Sequence, residues 1–230
     1  MNTGETIRKD ILKQAEDFLY KVKTSKDVGR LGTSLSRISW TELLRLNTDD
    51  MRKAFWINMY NAWFQILVAR GTDRKIIFTA SPFQFADVDL SLDEMEHGIL
   101  RKLKPHPSSG TPEKYPEPVQ QLAVEKEDPR IHFALNCGQK SCPPIAFYHA
   151  EKVEQQLDWA TVAYLQQETS FTPKENLLEV NELLRWYQAD FSGEAGILQM
   201  LKQYQLIPEN SKPLLRFTPY DHSLTPMDFA

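Results

Sequence analysis

Cysteine is scarce in this chain, with only Cys137 and Cys142 among 230 residues. That rules out a disulfide-built framework and a multi-cysteine zinc module. The two lie close enough for one small loop-closing bridge, which needs an oxidising compartment. Glycine is also sparse, at nine residues, and none sits in a phosphate-cradling loop. HExxH and GxSxG are absent too. Nucleotide hydrolases, zincin proteases and serine hydrolases of those types therefore lose support, and no cofactor is expected. No apolar run reaches the roughly 18 residues that span a bilayer. The longest, Ala54–Ala69, is interrupted by Asn58, Asn61 and Gln65, so no transmembrane segment is expected. Positive charge is limited: 27 Lys and Arg stand against 31 Asp and Glu, a net charge of −4. Without a basic block, nucleic acid has no electrostatic footprint to bind. The N-terminal stretch MNTGETIRKD lacks a signal-peptide core. This fits a cytoplasmic protein or an exported one with its signal removed.

What the chain does have is apolar periodicity. Ile7, Ile11, Leu12, Ala15, Phe18, Leu19 and Val22 form a helical stripe over Thr6–Lys23. Residues 24–32 read as a polar loop. Thr48-Asp49-Asp50 is a helix start, and Arg70-Gly71 a helix stop, around the strongest helix of the chain. That helix, Asp50–Arg70, is apolar on most sides and belongs at the centre of the fold. Lys75–Ala80 reads as a strand. Ser91 to Glu94 is a capping box opening a helix over Leu92–Leu103. Lys104–Pro118 reads as a long surface loop, a lid or a spacer. Later come a helix over Ala150–Glu168, a hairpin over Phe171–Val180, a helix capped by Asn181, another over Glu194–Gln205, and an extended segment over Leu214–Leu224. This mixed order, without regular βαβ units, predicts a single α+β domain with the apolar helix against a small mixed or antiparallel sheet.

The chain is organised around DPRIHFALNCGQKSCPP, residues 128–144. Ile131, Phe133 and Leu135 alternate with His132, Ala134 and Asn136, which predicts a strand ending in a loop. Thiol and imidazole together are the ordinary route to a nucleophile. Cys142, fixed by two prolines and able to swing back towards His132, is preferred to Cys137 as the reactive thiol. The opposing reading is that a lone cysteine is usually buried and inert. A mixed thiolate–imidazole metal set (Cys137, Cys142 and His132 with His97 or His222) is weakened by its wide cysteine spacing. Glu96-His97 and Asp221-His222 are carboxylate–imidazole pairs, but neighbours on a helix point about 100° apart. Asn58 and Asn61 share one helix face and need partners if buried. Those partners are either neighbouring loop backbone or a ligand.

Five segments in order, AFWINMYNAW (54–63), SLDEMEHGILR (91–101), DPRIHFALNCGQKSCPPI (128–145), RWYQADF (185–191) and YDHSL (220–224), resemble the bacterial and plant family called domain of unknown function 547. The resemblance spans nearly the whole chain, with a helical region over about 1–47 and a core over about 48–230. It implies that Asn58, Asn61, Glu96, His97, His132, Cys137, Cys142 and Asp190 are motif positions. It assigns no activity. Bacterial members of the family are often exported, and plant members join the domain to a coiled coil. The chain departs from the family pattern at His222-Ser223-Leu224-Thr225, where Trp-Ser-Leu-Asn is usual, so residue 222 loses weight as a ligand. The element order is also distantly similar to the papain and transglutaminase core, a fold-level analogy. That fold opens its central helix with the nucleophilic cysteine, which is missing here.

These readings converge on a cleft lined by Asn58, Asn61, Glu96, His97, His132 and Cys142, open to a small molecule or peptide. The leading expectation is a cysteine-dependent hydrolase or acyl-transfer enzyme. Cys142 is its nucleophile, His132 its base, Glu96 and His97 further catalytic groups, and Asn58, Asn61 and Cys137 binding residues. The alternative is a non-catalytic binding domain in which the same side chains form a structural hydrogen-bonded network.

Overall fold

The helix α4, Asp49–Ala69, is buried along almost its whole length. Thr48 caps its first turn by accepting from the Met51 N–H, and Asp49 and Asp50 complement the positive end of the helix dipole. Gly71, at a φ of 71°, ends it. The computed structural model describes residues 3–26, 29–81, 83–85, 88–108, 114–225 and 227–230. Ahead of α4 come α1 (Thr3–Lys23), α2 (Gly29–Ser36) and α3 (Trp40–Leu43), with α1 lying along α4. The short antiparallel strands β1 (Phe83–Phe85) and β2 (Val88–Leu90) follow. Phe83 stacks on Trp63 at a centroid distance of 3.9 Å, and Phe85 meets Phe55 and Trp56 edge-on.

Next is a π-helix, Glu94–Leu100. An α-helical turn at Leu92 leads into it, and the capping box of that turn is complete: the Glu94 carboxylate accepts from the Ser91 N–H at 2.8 Å, and the Ser91 hydroxyl accepts from the Glu94 N–H at 3.1 Å. The Arg101 N–H reaches back five residues to the Glu96 carbonyl, at 2.8 Å. Gly98 permits close packing here, since a Cβ would lie 2.4 Å from the Val119 side chain. Val119 belongs to α5 (Glu117–Leu122).

A second layer begins with α6 (Val153–Glu168). It continues through β3 (Thr169–Thr172), β4 (Leu177–Asn181), α7 (Leu183–Trp186), α8 (Gly193–Gln203) and β5 (Leu214–Thr218). Strand β4 pairs antiparallel with β3 and parallel with β5, a mixed three-stranded sheet. Its apolar residues form a core of their own with α8, around Leu178, Val180, Ile197 and Leu201. Among the described residues the fold is thus α+β with two small sheets.

Several expectations are corrected. Residues 131–136 are not a strand. Pro129–Phe133 is a 3₁₀ helix, with Pro129 in its first turn and Asp128 capping the Arg130 N–H. Residues 75–79 are turns, and α2 begins within the stretch read as a loop, of which residues 27 and 28 lie outside the described residues. Pro118 lies inside α5 rather than in a loop, while residues 109–113 of that loop lie outside the described residues. The central helix packs on α1, α6 and the π-helix and, through Phe55, Trp56 and Trp63, on the small antiparallel β1–β2 sheet rather than on a sheet containing residues 131–136. Among the described residues, no helix is long and apolar enough to cross a membrane.

Candidate functional site

Polar side chains from four separate segments meet at the end of the π-helix. Glu96 is buried, and its carboxylate accepts from the Tyr187 hydroxyl at 2.7 Å and the Tyr60 hydroxyl at 3.2 Å. Burial alone raises the Glu96 carboxyl. The His97 and His132 imidazoles, the Tyr187 hydroxyl and the Arg101 guanidinium more than offset it, so its pKa moves down and the group is ionised at neutral pH. Tyr60 and Tyr187, buried beside that negative charge, are held well above the ordinary phenol range and stay protonated donors.

Behind Glu96 lies a charge network centred on Asp190. Arg101 donates to it twice, from Nε at 2.7 Å and Nη2 at 3.1 Å. Lys104 donates at 3.0 Å, and His132 Nε2 lies 2.8 Å away. Burial would raise the Asp190 carboxyl, but the bonds from His132 and Arg101 hold it well below the usual carboxylate range. The His132 ring stacks on Tyr187 at 3.7 Å, and the guanidinium of Arg101 lies over the same ring. Burial lowers the pKa of His132 despite its bond to Asp190, so His132 is neutral and donates its Nε2 proton.

His97 is buried as well, and its pKa is pushed down to about 4, by burial first. Its Nδ1 lies 2.9 Å from Arg101 Nη1, which can only donate. The neutral ring therefore carries its proton on Nε2. His106 repeats this arrangement, its Nδ1 accepting from the Ser108 N–H at 3.1 Å. Asp93, His97 and His106 hold ligand atoms within 4.8 Å of one another. A metal-bound imidazole normally donates its second N–H to an acceptor. Here that second nitrogen already accepts a bond, so the cluster fits a cation poorly.

These groups open on a cavity of about 570 Å³. Tyr60, Phe78, Trp186 and Tyr187 give it aromatic walls, Asp93, Glu96, His97 and His106 line one side, and Cys137, Gln139, Arg185 and His222 line the rest. A second hollow of similar size runs past Arg130, but its charges already pair among themselves, Arg130 with Asp128 at 2.7 Å and Asp158 at 2.9 Å.

Of the residues expected at a cleft, Glu96 and His97 line this cavity, and His132 sits behind it against Asp190; Cys137, expected as a binding residue, lines the cavity too. Asn58 and Asn61 are not in its wall. Asn58 holds both the N–H and the carbonyl of Tyr148, at 3.0 and 2.7 Å. Asn61 holds the Ala134 carbonyl and the Asn136 N–H, each at 2.9 Å. Both amides fasten loop backbone to α4. Cys142 is bonded to Cys137 in a disulfide and is only 4% exposed, so the thiol needed for a Cys142 nucleophile is not present in this form. Tyr60, Arg101, Lys104 and Tyr187 were absent from the sequence reading of the site. Arg101 stands one turn from His97, and Tyr187 lies in the RWYQADF segment, but neither signal says what it meets.

The architecture is that of a mixed α+β domain built around a buried, charge-compensated network beneath one aromatic cavity. The chain belongs to the family described as Protein of unknown function, DUF547, whose model matches residues 43–165. No curated protein and no solved structure matches it.

Proposed function

We propose that this domain binds, without covalent chemistry, a small molecule that presents a protonated amine beside a flat apolar body. The observation that carries the reading is Glu96, an ionised carboxylate at the cavity wall with a side chain 11% exposed. Two tyrosine hydroxyls fix its orientation and leave acceptor capacity, since a carboxylate offers about four lone-pair sites. Arg101 is held by Asp190. An ammonium placed about 4 Å from such a carboxylate gains ~4 kcal/mol at an effective dielectric of about 20. The aromatic faces add a cation–π attraction of roughly 0.5–2 kcal/mol. The hydrolase or acyl-transfer reading and the papain-like analogy both need a free thiol, which the disulfide removes, so the binding reading is preferred.

The test is calorimetry with benzylamine, its neutral counterpart benzyl alcohol, and benzoate. Benzylamine is expected to bind at least tenfold more tightly than the alcohol, and benzoate not at all. Glu96→Gln is expected to erase the difference between amine and alcohol. Equal or tighter binding of benzoate would sink the proposal.

A further inference from the structure

The Cys137–Cys142 bridge borders the cavity independently of Glu96, and its two sulfurs are unlike. Cys137 is half-buried and lines the cavity; Cys142 is buried in the second core. The Cys142 sulfur accepts three hydrogen bonds: from the Cys137 N–H at 3.1 Å, the Gln139 N–H at 3.4 Å and the Tyr220 hydroxyl at 3.0 Å. The same hydroxyl lies 3.5 Å from the Cys137 sulfur. Tyr220 is buried and packed against Trp186, and burial keeps it protonated. A glycine is required at the turn that carries these N–H groups. Gly138 has a φ of 70°, and a Cβ there would stand 2.8 Å from the Phe64 ring.

Sulfur in a disulfide is a weak acceptor. Three donors converging on one sulfur suit a thiolate far better, as backbone N–H groups do in anion-binding concavities. Cys137 is the half of the pair that lines the cavity, from which a reagent arrives. Exchange runs fastest when the attacked sulfur is accessible and the leaving sulfur is a stable anion.

We propose that this pair is redox-active, exchanging with small dithiols that enter the cavity, with Cys137 as the sulfur attacked and Cys142 as the leaving thiolate. In the first step a thiolate of the dithiol attacks the Cys137 sulfur. A new S–S bond forms there, the Cys137–Cys142 bond breaks, and Cys142 takes the electron pair as a thiolate under its three donors. In the second step the other thiolate of the dithiol attacks the sulfur attached to Cys137. The Cys137 thiolate leaves and takes up a proton. The dithiol ends as a cyclic disulfide, oxidised by two electrons, and the protein pair is reduced by two.

The test uses the full chain and two probes, dithiothreitol and 2-mercaptoethanol. Native protein is exposed to millimolar dithiothreitol while tryptophan fluorescence reports folding, then alkylated with iodoacetamide across pH and mapped by mass spectrometry. The disulfide is expected to open without unfolding. Cys142 in the reduced chain is expected to alkylate with a midpoint clearly below the free-thiol value of about 8.5. Acid-quenched 2-mercaptoethanol reactions are expected to carry the mixed disulfide on Cys137. Tyr220→Phe removes one donor to the thiolate, so it is expected to slow reduction by roughly tenfold and to raise the Cys142 midpoint by about one pH unit. Reduction only on unfolding, a midpoint at or above about 8.5, or a mixed disulfide on Cys142 would each overturn the proposal. All three are read on the unmodified chain, whatever the fate of the variant.

Discussion

Replacing Asp190 with asparagine keeps the shape of the side chain and removes its charge. In the native protein Asp190 and Arg101 are 6% and 5% exposed, and the pair is bidentate. Lys104 and His132 add bonds of 3.0 and 2.8 Å to the same carboxylate. The asparagine amide retains one acceptor for four donor atoms and turns its own N–H groups towards a buried guanidinium. Stranding one partner of a buried pair costs about 3–5 kcal/mol. For a domain of this size each kcal/mol lowers Tm by roughly 2–4 °C, so a fall of about 10 °C is expected. The assay is equilibrium unfolding in urea, followed by tryptophan fluorescence from pH 8 to pH 2. The sign of the pH dependence is fixed by the depressed carboxyl of Asp190. Its contribution is complete above the unfolded value of about 3.9 and is lost as pH falls towards the lower folded value. The gap between wild type and variant should stay constant down to about pH 5 and narrow below pH 4. A double replacement, Arg101→Met with Asp190→Leu, should recover part of the loss, because the buried guanidinium is gone and Lys104 keeps Glu127 at 2.6 Å, while the His132 Nε2–H still lacks its acceptor. A loss under about 1 kcal/mol, or a gap that does not narrow in acid, would refute the reasoning.

Three further outcomes are expected. Asn61→Ala leaves the buried Ala134 carbonyl and Asn136 N–H without their partner, and should cost about 2–4 kcal/mol in urea unfolding at about 1–2 kcal/mol per stranded group. Gly138→Ala forces an L side chain to a φ of 70° and into the Phe64 ring, so calorimetry should show a lower Tm, with about 1–3 kcal/mol lost to strain alone. His97 has a folded pKa of about 4 against an ordinary 6.5. A depressed histidine costs stability as pH falls from the unfolded value to the folded one, so about 3 kcal/mol should be lost between pH 6.5 and 4, and His97→Gln should flatten that slope in acid titrations of unfolding.

How much of this was legible depends on whether the determining contacts are local. Helix α4 announces itself through an apolar run between an Asp pair and a glycine, and the Ser91–Glu94 capping box through spacing alone. The β3–β4 hairpin was readable too, from the polar turn Lys174-Glu175-Asn176 within Phe171–Val180. The 3₁₀ helix was not. Its alternation of apolar and polar residues carries no face information, because Ile131, His132, Phe133 and Asn136 are all buried. A period of two reports a strand only when one side is wet. Glu96, His97 and Cys137 were found by their chemistry, and their convergence on one cavity follows from folding. Arg101 and Asp190 lie 89 positions apart, and no periodicity connects them. Asn58 and Asn61 were noticed for the right reason, buried amides within an apolar helix, yet only the fold shows that their partners are loop backbone.

The π-helix absorbs one residue that the geometry of the site does not need. Five-residue hydrogen bonds such as Arg101 to Glu96 close a wider turn than the four-residue bonds of an α-helix. Removing one residue between Gly98 and Leu100 would let the segment relax into an α-helix, with more regular bonding. The bond from Arg101 would then span four residues instead of five, and Arg101 would still stand about one turn beyond Glu96, on the side of Asp190. The cost would fall on packing, because Gly98, Ile99 and Leu100 are all buried. Two proteins of this type can thus differ in length between Ser91 and Arg101 and still present the same charged groups beneath the cavity.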